Sequence, residues 1–121
     1  MIDVAEKIRA ASQRIRALEQ EYGRPEGAVS LLAVSKRQSI AKIREAAAAG
    51  VVNIGENYLQ EALDKKQELA DITQLVWHFI GPIQSNKTRG IAETFDWVHS
   101  VDRAKIAKRL NDQRPADQGP L

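Results

Sequence analysis

The sequence predicts an α/β fold: a leading helix, then four βα units around a parallel sheet. Three observations predict it. Short apolar runs begin near residues 31, 51, 75 and 97, and steps of about 20 to 25 residues are the spacing of βα units. Each run is followed by a segment whose apolar residues recur at three- and four-residue steps, the helical period. The runs themselves are nearly continuous rather than alternating, as expected of strands covered on both faces.

Each element has a local reason. Val4, Ile8, Ala11, Ile15, Leu18 and Tyr22 form one apolar stripe, predicting a helix over 2–22. Gly23 and Pro25 end it. Leu31 to Ser35 reads as the first strand. Ser39 then reads as an N-cap and Gly50 as the C-terminal stop of a helix whose inner face is Ile40, Ile43, Ala46 and Ala47. Val51 to Ile54 is the second strand, ended by Gly55. Asn57 is placed to cap a helix facing inward through Leu59, Ala62, Leu63 and Leu69. Leu75 to Ile80 is the third strand, closed by Gly81-Pro82. Ser85 caps a helix carrying Ile91, Ala92 and Phe95. Trp97 to Val101 is the fourth strand, and Asp102 caps a last helix through Ala104, Ala107 and Leu110 that fades at Arg114-Pro115. Two architectures fit this order: a small open α/β sheet, which the length favours, or half of a (βα)₈ barrel, which normally takes about 250 residues.

Composition bounds the rest. The chain has 121 residues, read as a single domain over 1–121, with 43% hydrophobic and 28% charged residues, ordinary for a globular protein. Eighteen basic and 16 acidic residues leave a net charge of +2. That balance gives no electrostatic footprint for nucleic acid. No apolar run approaches the ~20 residues of a membrane span. The first residues lack the basic and apolar regions of a signal peptide, and a cytoplasmic location is expected. With no cysteine, a zinc-thiolate site, a disulfide framework and a thiol nucleophile are excluded.

In either architecture a ligand site lies beyond the carboxyl ends of the strands, and those ends are polar here. The first strand ends in Ser35-Lys36, the second in Gly55-Glu56-Asn57. The third carries His78 and ends in Gly81-Pro82-Ile83-Gln84-Ser85-Asn86-Lys87; the fourth carries His99 and Ser100. Lys36 reads two ways, as a lysine snorkelling from a strand edge or as a desolvated amine able to form a Schiff base. Glu56 either orients a lysine or pairs with a surface cation. Asn57 reads as a helix cap or a ligand contact, and His78 as a hydrogen-bonded core histidine or a site residue. Ser85-Asn86-Lys87 either caps its helix or offers backbone N–H groups to an anion. Two histidines on separate strands without a paired carboxylate motif do not predict a metal site. No nucleophile elbow, P-loop or HExxH motif is present.

Four stretches together resemble one family: Leu32-Ala33-Val34-Ser35-Lys36, Gly55-Glu56-Asn57-Tyr58-Leu59-Gln60-Glu61, Trp77 through Lys87, and His99-Ser100-Val101-Asp102-Arg103. The family is the pyridoxal phosphate homeostasis proteins, relatives of the alanine racemase barrel domain. The resemblance implies a (βα)₈ barrel with an extra leading helix, and pyridoxal 5′-phosphate bound as an internal aldimine on Lys36. It places Asn57 and His78 near the cofactor ring, with Val34 and Ser100 lining the pocket. It implies a cofactor carrier that buffers free cofactor without robust racemase or transaminase activity. An enzyme reading, racemase or lyase, needs a proton-transfer group, for which His78 is the candidate.

The departure is length. Four βα units correspond to the amino-terminal half of such a barrel, and the family's main phosphate-binding residues lie on later strands. The expectation is therefore a half-barrel with impaired cofactor retention. Its open strand edges would favour a homodimer completing eight strands. The alternative is a structural or engineered half-barrel that self-associates without ligand.

Overall fold

The computed structural model describes residues 3–121; residue 2 of the expected leading helix lies outside the described residues. Helix α1 runs Val4–Glu21, with the Asp3 carboxylate accepting from the Glu6 amide at 2.8 Å as its N-cap. The four βα units follow: β1 Leu32–Val34 and α2 Ile40–Ala48, β2 Asn53–Glu56 and α3 Leu59–Glu68, β3 Val76–Phe79 and α4 Thr88–Thr94, β4 Trp97–Val98 and α5 Ala104–Gln113. All strands are parallel, in the order β1-β2-β3-β4. Sequence order equals spatial order, which is how strands follow one another around a (βα)₈ barrel.

Helix starts follow local chemistry only in part. The Ser39 hydroxyl accepts from the Lys42 amide at 3.2 Å, so α2 is capped as expected, and Gly50 stops it at φ +106°. Three other expected caps are absent. The residue before α3 is Tyr58, that before α4 is Lys87 and that before α5 is Arg103, and none makes a side-chain cap bond. Asn57 and Asp102 each stand one residue too early. Ser85 opens a 3₁₀ turn, Ser85–Lys87, and receives the Thr88 hydroxyl on its carbonyl. The carboxyl end of α4 is closed instead by Arg114, whose guanidinium donates to the carbonyls of Ala92 and Phe95 at 2.7 and 2.6 Å.

The core lies between the sheet and its helices. Ile54, Trp77 and Phe79 point into it from the strands, meeting Ile43, Ala46, Ala62, Leu69, Ile91, Ala92, Phe95, Ile106 and Leu110. Several expected inner positions are displaced. Leu63 is exposed and Lys65 takes its place on the buried side of α3. Ala104 and Ala107 face solvent while Ile106 is buried, and Tyr22 is exposed. Strands β1, β3 and β4 are also shorter than their apolar runs, and β2 keeps its length but begins two residues later and takes in Gly55 and Glu56.

The opposite face of the sheet is covered at its middle, where Gly55 and His78 are buried, and open toward its two edges. Val34, Gly55, His78 and Trp97 stand in register across the four strands, so their side chains share one face. Val34 is 49% exposed and Trp97 57% exposed. The central strands β2 and β3 are thus buried on both faces, as expected, while β1 and β4 at the two edges are open on the concave face. That is the geometry of half a barrel, whose interior in a closed form is filled by side chains from all eight strands.

Candidate functional site

The carboxyl ends of the strands and the concave face form one rim. His78 is held there from three sides. Its Nε2 lies 2.9 Å from Asn53 Oδ1 on β2, and its Nδ1 lies 2.9 Å from His99 Nε2. Trp97 stacks on it with ring centroids 5.8 Å apart and planes within 9°. With the Asn53 oxygen as acceptor, His78 carries its proton on Nε2 and accepts at Nδ1 from the His99 N–H. Burial, and next the neighbouring His99, push the His78 pKa below the ordinary 6.5, against the opposing pull of Asp96. His78 is thus a neutral, oriented imidazole.

The sign of the pH dependence follows. A histidine whose pKa is lowered by folding supports the fold above its unfolded value, and that support is lost as pH falls through the folded value. Thermal melts at about pH 7.5 and 5.5 should show the midpoint falling on acidification, and His78→Gln should shrink that fall. An equal fall in the variant would assign the effect to other groups.

Asn57 follows β2 directly. Its Oδ1 is buried and, among the described residues, has no hydrogen-bond partner. Its backbone is crowded by Gly81, where an added Cβ would stand 2.5 Å from the Asn57 carbonyl oxygen; only glycine lets the β3 turn approach so closely. Ser100 reinforces that turn, its hydroxyl donating to the Gly81 carbonyl. A cavity of about 320 Å³ opens beside Asn57, lined also by Tyr58, Pro82, Gln84 and Lys87. Lys36, His78 and Ser100 do not line it.

Lys36 stands beyond the end of β1, two residues after Val34, and is exposed. Among the described residues its amine joins no ion pair, and no bond links it to Asn57 or His78. What is fixed is the chain on either side of it. The Ser35 amide donates to Gly55 O at 2.9 Å, and Arg37 sits in the left-handed region at φ +59° with its amide donating to Glu61 at 2.7 Å. The structure therefore brings Ser100 and Asn57 together through Gly81, joins His78 to His99, and leaves Val34 and Lys36 on the open β1 edge.

Asn53 and Lys65 carry no sequence expectation as site residues, and His99 carries none as a partner of His78. Asn53 and His99 fix His78, and the signal was the alternation Trp97-x-His99 beside His78 on neighbouring strands. Lys65 is buried on the same helical stripe as Ala62 and Leu69, at steps of three and four. A lysine on an apolar stripe with Glu61 one turn before it was the readable sign.

As for the candidate cofactor, the buried and unsatisfied Asn57 oxygen fits a polar ligand at this rim, and Lys36 supplies an exposed amine beyond the end of the neighbouring strand β1. Four parallel βα units in barrel order define the class: the amino half of a (βα)₈ barrel. The chain is homologous over its whole length to the pyridoxal phosphate homeostasis proteins. It is 61% identical to the one from Pseudomonas aeruginosa over 121 residues, all of this chain and 52% of that protein. It is 48% identical to that of Escherichia coli K12, over all of this chain and 53% of the relative. The chain thus spans about half the length of the curated relatives it matches. No family model matches the chain. Among solved structures, PipY of Synechococcus elongatus with pyridoxal phosphate bound superposes with a TM-score of 0.72 at 45% identity, covering 84% of this chain and 47% of PipY. A protein of unknown function from Bifidobacterium adolescentis superposes with a TM-score of 0.84 at 31% identity, covering 93% and 52%. No helix among the described residues is long and apolar enough to cross a membrane.

Proposed function

We propose that this chain holds pyridoxal 5′-phosphate through a Schiff base on Lys36, as a cofactor carrier rather than an enzyme. The observation that carries the reading is the whole-length homology to pyridoxal phosphate homeostasis proteins, with Lys36 beyond the carboxyl end of β1, where barrel ligands bind. The unprotonated Lys36 amine adds to the aldehyde carbon and water leaves, forming the C=N bond. Asn57 offers its unsatisfied oxygen, His78 an oriented neutral ring, and Val34 and Ser100 the walls. A cytoplasmic location belongs to this reading. Retention should be looser than in relatives about twice as long. The test is the aldimine absorbance band after incubation with pyridoxal phosphate and desalting. The band is expected in the native chain and not in Lys36→Ala; the same spectrum from both would sink the assignment.

The concave face, open toward its two edges, favours a second part of the reading: two copies associate through the β1 and β4 edges, covering Val34 and Trp97. Unpaired strand edges and exposed apolar side chains drive such pairing. Light scattering coupled to size exclusion should give about twice the chain mass at high concentration, and Trp97→Lys should lower it. A single-chain mass throughout would overturn this part.

A further inference from the structure

Next to Lys36 in the fold lies a largely buried set of charges with no evident part in the carrier site. Lys65 is 7% exposed and Glu56 fully buried. The Lys65 ammonium donates to Glu56 Oε2 at 2.9 Å, to Glu61 Oε2 at 2.7 Å and to the Ser35 carbonyl at 2.6 Å. The Ser35 hydroxyl also donates to Glu56 Oε2. Glu61 Oε2 receives, besides Lys65, the Arg37 amide. The carbonyl of residue 35 and the amide of residue 37 are therefore both tied to one Lys65–Glu61 unit, and the residue between them is Lys36.

This arrangement is a poor device for stability alone. Buried ion pairs recover little beyond their desolvation cost, and apolar packing of equal volume often does as well. What apolar packing cannot do is hold a carbonyl and an amide at set positions, or hold Arg37, a residue with a side chain, in the left-handed region. We propose that Lys65, with Glu56 and Glu61, is a positioning unit that fixes the Ser35–Arg37 backbone and so aims the Lys36 amine from the β1 end. The inference rests on the reading of Lys36 as the reactive amine, and it assigns roles to three residues that touch no ligand.

The test uses the whole 121-residue chain. Two variants are compared with the parent after circular dichroism confirms their helix content. Glu61→Ala frees the Arg37 amide but leaves the Lys65–Glu56 pair. The double variant Glu56→Gln/Lys65→Met removes both buried charges and leaves only the part-exposed Glu61 carboxylate, which keeps the Arg37 amide. Glu61→Gln, which can still accept from the Arg37 amide, is the conservative control. Limiting succinimidyl ester is applied and adducts are mapped by mass spectrometry, with exposed Lys42 as internal standard; pyridoxal phosphate followed by borohydride is the second probe. The Lys36-to-Lys42 ester ratio and the Lys36 pyridoxyl adduct are each expected to fall roughly tenfold in both variants, well inside the ~10²-fold that a misplaced group can cost, with Glu61→Gln within about twofold of the parent. A ratio and adduct unchanged in both variants would overturn the positioning role. If the parent forms no pyridoxyl adduct at Lys36 yet the ester ratio falls, the carrier reading fails and positioning stands. If the parent forms the adduct and neither readout moves, positioning fails and the carrier reading stands.

Discussion

Replacing Lys65 by methionine is expected to destabilise the chain by about 3–5 kcal/mol, the usual cost of removing one partner of a buried ion pair. Glu56 has no exposure, and its second oxygen, Oε1, already lacks a partner among the described residues. Without Lys65 the carboxylate keeps only the Ser35 hydroxyl, and the Ser35 carbonyl loses its donor. The double variant Glu56→Gln/Lys65→Met should recover part of the loss, because the fully buried Glu56 charge no longer stays behind, while the Ser35 carbonyl and Glu61 still lack the Lys65 donor. Urea unfolding at neutral pH measures both, and a single-variant cost under about 1 kcal/mol would mean the pair behaves like a surface one. The same unit predicts acid sensitivity. The Lys65 ammonium, and next the Arg37 amide, hold the Glu61 carboxyl below its ordinary 4.5. A lowered carboxylate pKa supports the fold above its unfolded value, and that support disappears as pH falls through the folded value.

Phe95→Ala should cost a comparable ~3–5 kcal/mol, the range for emptying a buried aromatic site. Phe95 is fully buried at the end of α4 and meets Phe79 edge to face, with centroids 5.1 Å apart at 71°. The cavity left behind cannot close easily. Arg114 grips the Phe95 and Ala92 carbonyls, so the backbone is held in place. Phe95→Leu keeps most of the volume and should cost less than about half as much. Urea midpoints should shift with the slope unchanged, since the surface exposed on unfolding is nearly the same. A small loss for Phe95→Ala would show that α4 can slide inward.

Much of this was legible in residue order. Ile43, Ala46, Ile91, Ala92 and Phe95 sit where helical spacing places them, because burial against a sheet selects one stripe whatever the exact ends of the helix. Ser39 was readable as a cap because the bond closes within three residues. Asn57, Asp102 and Ser85 show the converse: each is a good cap residue by type, but its helix begins one or more residues later than a cap at that position requires, and of the two readings of Asn57 the cap is the one the structure removes. For Asn57 this has a consequence, since its oxygen is not spent on a cap and remains unsatisfied at the rim. Lys65 was passed over because a charged residue on an apolar stripe looks like an interruption until its partners, 4, 9 and 30 residues away, are known.

By itself the sequence determined the α/β class, the order of four βα units, the outer-face core and the likeness to pyridoxal phosphate homeostasis proteins. These depend on local periodicity and on motifs contiguous in the chain. Only the tertiary structure decided that the concave face lies open at Val34 and Trp97, that His78 is locked by Asn53 and His99, and that Lys36 stands between two peptide groups tied to Lys65 and Glu61. Each of these depends on strand register and on contacts across neighbouring units. A parallel sheet creates such contacts only after each crossover helix has returned the chain to the same edge.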